Sequence, residues 1–465
     1  MKNLHRLQST GEEKFVTFVQ ERLIHRTVPL GAKLVKNRLS IFSNKSVKSI
    51  VKEKNLSIKL VKQDELLFRR MLIACQNREP DMIDFFSHEN QPFPPSLSQG
   101  GRLRHGTKSD LLNILETNGK QEVSTEASSS SKSVMIVDGA FLTQVLKHQG
   151  CKNVEEYAVR MFIPHVKSYF KNVERVDVVW DRYDQKSVKN QAREERGQGT
   201  RRKIVSSTPI PADWQKLLRV NENKTELFSY LSNVSVSSPE FSAEDLIVNI
   251  LDKSISSNPM RDMSSFSNCN HEEADTRIFN HLASCVNEGI LNINIRTGDT
   301  DVVVLAINCL TKISQIEKLY VHFGTGKNFR VIDAISLSKG IGPMISKILL
   351  LFHSFTGCDT VSSFAGKGKK TAWSVMKTYF FFAEALERLT GNPNSYKDPE
   401  ILSVIERYCI LLYDRTSSLE SVNDARRKLF PSKAGLENIP PTQDALIEHL
   451  KRALYQGIGM YYFFH

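Results

Sequence analysis

The stretch 292–310, NINIRTGDTDVVVLAINCL, decides the fold. Asn292–Arg296 reads as a short strand, and Val302–Leu310 as the helix that follows it. Between them, Thr297-Gly298-Asp299-Thr300-Asp301 is a turn with capping residues at the helix start. The pattern recurs on either side. Val134–Val137 is a short apolar strand that leads through Asp138-Gly139 into a helix from about Phe141, and Val176–Trp180 is a second such strand ending at Asp181. Leu319–Phe323 and Phe329–Ile332 flank Gly324-Thr325-Gly326 as a hairpin. Pro343, a good first helical residue, opens an apolar helix that runs to Phe355. Strands alternating with helices predict an α/β fold, a mainly parallel twisted sheet with helices on both faces.

Outward from this core the chain changes character. Residues 1–117 read as a basic helical region, with a Thr10-x-x-Glu13 capping box opening a helix that carries Phe15, Phe18, Val19 and Leu23. Further helices are expected over Asp64–Cys75 and Asp81–Phe86, and the Pro- and Gly-rich stretch Gln91–Arg104 is expected to be loop. The Ser-rich segment 118–133 reads as a linker. The α/β domain is placed at 134–360, with 182–270 as an insertion, and a C-terminal helical region at 361–465. That region ends in a capped amphipathic helix over Pro440–Gly457.

The 465 residues carry a formal charge of +12, with Lys and Arg crowded into 1–62. That balance points to a polyanionic partner, nucleic acid before an anionic membrane. The seven cysteines are odd in number, scattered and without a C-x-x-C pair. Neither a disulfide-linked partner nor a zinc knuckle is expected, and Cys269 with His271 lacks a second ligand pair. The start of the chain has no apolar signal core, and the longest apolar run, around Ile345–Phe355, is too short to span a bilayer. A nuclear or cytoplasmic location without membrane contact is the expectation.

In a parallel sheet, functional groups gather just beyond the carboxyl ends of the strands. The acids of this chain fall there: Asp138, Asp181, Asp299 and Asp301, then Asp359 after the Pro343–Phe355 helix, and Glu272-Glu273-Ala274-Asp275 opening another helix. A lone strand-end Asp is usually a turn former. Several converging on one edge repel each other unless cations neutralise them, and hard oxygen donors suit Mg²⁺ or Mn²⁺. Two such ions are expected, the arrangement that serves phosphodiester hydrolysis. Behind Asp359, Gly366-Lys367-Gly368-Lys369-Lys370 reads as a backbone anion site at a helix start, against the alternative of a solvated Lys-rich turn. It is not a Walker A loop, because the spacing of its glycines is wrong.

From Asp138 to about Tyr379 the sequence resembles the flap endonuclease/XPG-type 5′ nucleases, a branch of the PIN-like fold. The shared motifs are a first Asp after strand one (Asp138), a second ending the next strand (Asp181) and E-A-D opening a helix (Glu273-Ala274-Asp275). They continue with D-x-D (Asp299, Asp301), a G-C-D turn (Gly357-Cys358-Asp359) and a G-x-G-x-K-x-A core (Gly366 to Ala372). The resemblance implies that Asp138, Asp181, Glu273, Asp275 and Asp299 ligate or orient metal, with Asp301 and Asp359 completing a second site. It further implies that Gly366, Lys367, Gly368, Lys369 and Lys370 form a helix–two-turn–helix hairpin gripping duplex DNA, with provision for a K⁺ ion. Lys189, Arg193 and Arg196 fall in its basic gateway interval. The chain departs from the family in four places: about 130 residues precede the first Asp, so no N-terminal contribution to the site is expected, Arg182 follows the second Asp, Thr360 follows the last, and the gateway interval is long and Ser/Asn-rich around Ser232–Ser267. The expected function is a Mg²⁺-dependent nuclease on DNA, structure-specific at 5′ ends or flaps. The alternatives are a catalytically inactive nucleic-acid-binding protein of the same fold and an RNA-directed ribonuclease.

Overall fold

The structure is a computed structural model that describes residues 7–29, 32, 81–89, 91–119, 132–148, 150–183, 199–266, 274–432 and 435–461. The chain divides into two units, Met1–Leu60 and Val61–His465. In the first, a helix over Leu7–Val19 runs on into a wider turn, Gln20–Ile24. Thr10 and Glu13 lie inside this helix, so the expected capping box does not open it; Leu7 and Gln8, both good helix formers, extend the helix in front of it. The helix expected over Asp64–Cys75 falls outside the described residues. In the second unit, Met82–Ser87 is helical as expected, with the Asp81 carboxylate accepting from Ile83 N and Asp84 N.

The second unit is built on a seven-stranded sheet. In chain order its strands are β1 Ser133–Asp138, β2 Arg175–Val179, β3 Asp245–Ile250, β4 Lys253–Ser256, β5 Asn292–Thr297, β6 Lys318–Phe323 and β7 Arg330–Asp333. Across the sheet they run β4-β3-β2-β1-β5-β6-β7. The five central strands are parallel, and β4 and β7 close the edges antiparallel. The chain winds one way from β1 to β3 and the other way from β5 to β6, so the winding reverses between β1 and β5. Ligands of open α/β sheets bind beside such a reversal.

The helices used below are α1 Lys108–Asn118, α2 Gly139–Val145, α3 Asn221–Val236, α4 Ala274–Asn287, α5 Thr300–Cys309, α6 Pro343–Phe355, α7 Lys369–Thr378, α8 Pro399–Tyr413 and α9 Gln443–Tyr461. Strand side chains alternate between the two faces. Met135 and Val137 of β1, with Val176 and Val178 of β2, meet Leu142 of α2 and Leu227, Phe228 and Leu231 of α3 on one face. Val134 and Ile136 meet Ile278 and Leu282 of α4, all of α5's apolar residues and Phe352 of α6 on the other. α5 is buried along its whole length, which explains why its sequence is apolar on every side rather than on one stripe.

The fold is therefore α/β with a mostly parallel sheet, as expected. The interval 182–270 is not only an insertion: residues 199–266 within it supply α3 and the strands β3 and β4. The expected boundaries at 117 and 360 both fall inside the second unit. Leu111 and Leu112 of α1, Trp373 of α7, Tyr408 of α8 and Leu446 of α9 share one core with the α5 and α6 side chains. Cys151, Cys285, Cys309, Cys358 and Cys409 are free thiols. Among the described residues no single helix is long and apolar enough to cross a membrane.

Candidate metal centre

The first carboxylate, Asp138, is the last residue of β1 and the N-cap of α2, where its side chain accepts from Phe141 N at 2.9 Å. Its other oxygen accepts from the Thr297 hydroxyl at 3.2 Å, and that hydroxyl in turn accepts from Asp299 N at 3.1 Å. One side chain at the end of β5 thus sets the spacing between the acid ending β1 and the acid following β5.

Asp181 lies two residues beyond β2. Trp180 before it is clamped by stacking on Phe228 and Phe162, with its indole N–H donating to Ser232 Oγ. Asp181 accepts from Ala274 N at 2.9 Å through one oxygen and from the Tyr183 hydroxyl at 2.9 Å through the other. Ala274 is the first residue of α4, so an otherwise open helix N–H is satisfied by an acid from a neighbouring strand. The buried Arg277 guanidinium, one turn along α4, donates to Trp180 O and Leu251 O. These bonds bring Asp275 to the same edge of the sheet.

Asp299 caps α5, accepting from Asp301 N at 2.9 Å. One oxygen each from Asp275, Asp299 and Asp301 lie within 4.8 Å of one another. Asp301 is buried and both its oxygens have partners. His353 Nε2 on α6 is 3.0 Å from Oδ1, and Lys108 Nζ is 2.7 Å from Oδ2. The same ammonium lies 2.9 Å from Asp359 and 3.8 Å from Asp299. Lys108 opens α1, and the segment ahead of it is stitched to the turn carrying Asp359: Ser363 N donates to Arg104 O and Ala365 N to Ser96 O.

Burial, then repulsion from Asp181 and Asp299, pushes the Asp138 carboxyl up to about 7. Burial and the adjacent Asp301 push Asp299 up to about 6 against the pull of Lys108. Asp301 moves the other way: burial opposes its charge, but His353 and Lys108 outweigh it and hold it far below the usual range. Burial likewise opposes the Lys108 ammonium, yet Asp301, Asp299 and Asp359 keep it firmly charged. Burial, with Lys369 nearby, pushes His353 down to about 4, so at neutral pH its Nε2–H donates to Asp301 as a neutral imidazole. Among the described residues the donors around Asp275 and Asp299 are carboxylate oxygens, a set that could hold Mg²⁺ or Mn²⁺.

Six of the seven expected acids reach this edge through these contacts and interactions: Asp138, Asp181, Asp275, Asp299, Asp301 and Asp359. Glu273 falls outside the described residues, as do Lys189, Arg193 and Arg196. The glycine-rich hairpin is corrected in one respect. Lys369 does not face solvent: it is buried, and its ammonium donates to His353 O and to Thr356 Oγ1. As the first residue of α7 its stem runs under the turn that links α6 to α7, and burial pushes it down to about 7. Gly366 and Gly368 are exposed, Lys367 lies 5.1 Å over the Tyr413 ring, and Lys370 pairs with Asp110 at 3.4 Å. Two central residues were invisible in the sequence, Lys108 and His353. The expectation that nothing ahead of Asp138 contributes is overturned by Lys108, for a single Lys after a loop has no motif to mark it. No protein-family model, curated protein or solved structure matches the chain.

Proposed function

We propose that this protein is a divalent-metal-dependent phosphodiesterase acting on nucleic acid, with DNA ahead of RNA, on a PIN-like sheet. One observation carries the reading. Acids from the ends of β2, β1 and β5, three adjacent parallel strands, gather at the winding reversal, where oxygens of Asp275, Asp299 and Asp301 at the first turns of α4 and α5 lie within 4.8 Å of one another. A Mg²⁺ or Mn²⁺ ion held by this set would acidify a water and neutralise phosphate charge. The residues of the chain position that chemistry. Thr297 spaces Asp138 from Asp299, while Ala274 N and the Tyr183 hydroxyl fix both oxygens of Asp181. The net charge of +12 supports a polyanionic substrate, with affinity that falls as salt rises. The sequence resemblance alone supports the finer reading: a 5′ nuclease acting at flaps, with the exposed Gly366–Gly368 hairpin on the duplex.

The test compares 5′-flap DNA, single-stranded DNA and single-stranded RNA in Mg²⁺, Mn²⁺ or EDTA. Wild type should cut in either metal and not in EDTA, and Asp299→Asn should lose roughly 100-fold or more in rate. Absence of cleavage on every substrate, or an Asp299→Asn protein as active as wild type, overturns the proposal. A second reading, a binding module without turnover, has its own observation: the Lys108 ammonium already neutralises Asp301, and His353 donates to its other oxygen. Metal-independent DNA binding without cleavage favours it.

A further inference from the structure

Asp301 and Asp359 were expected to complete a second metal site, but the structure places an ammonium between them. Lys108 Nζ lies 2.7 Å from Asp301 Oδ2, 2.9 Å from Asp359 Oδ2 and 3.8 Å from Asp299 Oδ1. We propose that Lys108 is the second cation of this centre, so that it holds one divalent ion, at Asp275, Asp299 and Asp301, rather than two. The inference rests on the metal-dependent reading above.

Three features support it. The space between Asp301 and Asp359 is filled by the Lys108 ammonium, and His353 holds the other Asp301 oxygen, so a second ion there would have to displace Lys108 from a buried carboxylate. Uncovering such a charge is costly. The contacts also suit an ammonium: 2.7 and 2.9 Å are charge-assisted hydrogen-bond lengths, so Lys108 itself neutralises both carboxylates. Finally, Lys108 is held in place rather than tethered loosely. Its side chain is 19% exposed, and Leu111 and Leu112 of the same helix are fully buried. Backbone bonds from Ser363 and Ala365 to Arg104 and Ser96 tie the segment before it to the Asp359 turn. An ammonium has three donors, so after Asp301 and Asp359 one is left for a substrate phosphate oxygen.

The test counts ions. The full chain is titrated with Mn²⁺, bound metal is measured by mass spectrometry, and electron paramagnetic resonance distinguishes an isolated Mn²⁺ from a spin-coupled pair. Wild type should bind one Mn²⁺ with an uncoupled spectrum. Lys108→Gln should bind a second with a coupled spectrum, and Lys108→Arg, which keeps the charge, should stay at one. Two ions in wild type or in Lys108→Arg, or only one in Lys108→Gln, overturns the inference while leaving the metal-dependent reading intact. No Mn²⁺ in wild type overturns both. If Lys108→Gln does not fold, the wild-type and Lys108→Arg counts still decide.

Discussion

Gly139 follows Asp138 because no other residue fits there. A Cβ built on it would lie 2.4 Å from Trp180 Cε3 and 2.6 Å from Cζ3. The indole cannot retreat, since it is stacked on Phe162 and Phe228 and bonded to Ser232. Gly139→Ala should therefore push the end of β2 away from β1 and cost about 1–3 kcal/mol, as overpacking typically does. Denaturant unfolding reads this as a lower midpoint. A midpoint equal to wild type would show that the ring yields. The same shift displaces Asp181 from Ala274 N, so divalent-ion affinity should fall together with stability. A stability loss without an affinity loss would uncouple the two residues.

At the scale of elements, α9 lies along α6, and His449 joins them. Its Nε2–H donates to Phe355 O at 2.9 Å, and its ring meets those of Phe355 and Phe364. Burial pushes this imidazole down to about 4. Above the unfolded value of about 6.5, His449 is neutral in both states and costs nothing. As pH falls from there toward 4, the unfolded chain takes up a proton that the folded chain refuses, so stability falls across this window and levels off below it. The slope from this one group is bounded by about 1.4 kcal/mol per pH unit. Denaturant titrations in EDTA between pH 7.5 and 4.5 should show a steeper loss in wild type than in His449→Gln. Equal slopes would remove His449 as the cause. How legible each element was follows from its packing. β1, β2, β5, the β6–β7 hairpin and α6 were readable because short apolar runs ended in Asp, Gly or Pro. β3, Asp245–Ile250, was missed because it is buried on both faces and so lacks the period-2 signal, and because serines and asparagines surround it. At the candidate site, the acids were readable from their places at strand ends. The orientation of Lys369 was not, since a lysine's stem and its charge can be satisfied on opposite sides of the protein boundary.

Over the whole molecule, the region that resembles a nuclease is not a detachable part. Leu446, Leu450, Ala453, Leu454 and Ile458 of α9 are buried in the same core as Leu350 and Phe352. At roughly 1.5–3 kcal/mol for each large apolar side chain, exposing them removes an amount comparable with the whole stability of an ordinary domain. A chain ending at residue 442, or a fragment covering 134–360, should therefore lack a cooperative unfolding transition and expose apolar surface. A sharp thermal transition in either would show that the core closes without α9. The bond from Lys108 to Asp301 spans 193 residues of sequence, and α9, which packs along the helix bearing His353, is the last helix among the described residues. Contacts of such long range form late in folding. During synthesis the acids of β1 and β2 emerge well before α6, which carries His353, and α9, which packs along it. A chain grown through α1, β1 and β2 but not yet α6 therefore holds Lys108, Asp138 and Asp181 without the His353 that faces Asp301 across the finished edge.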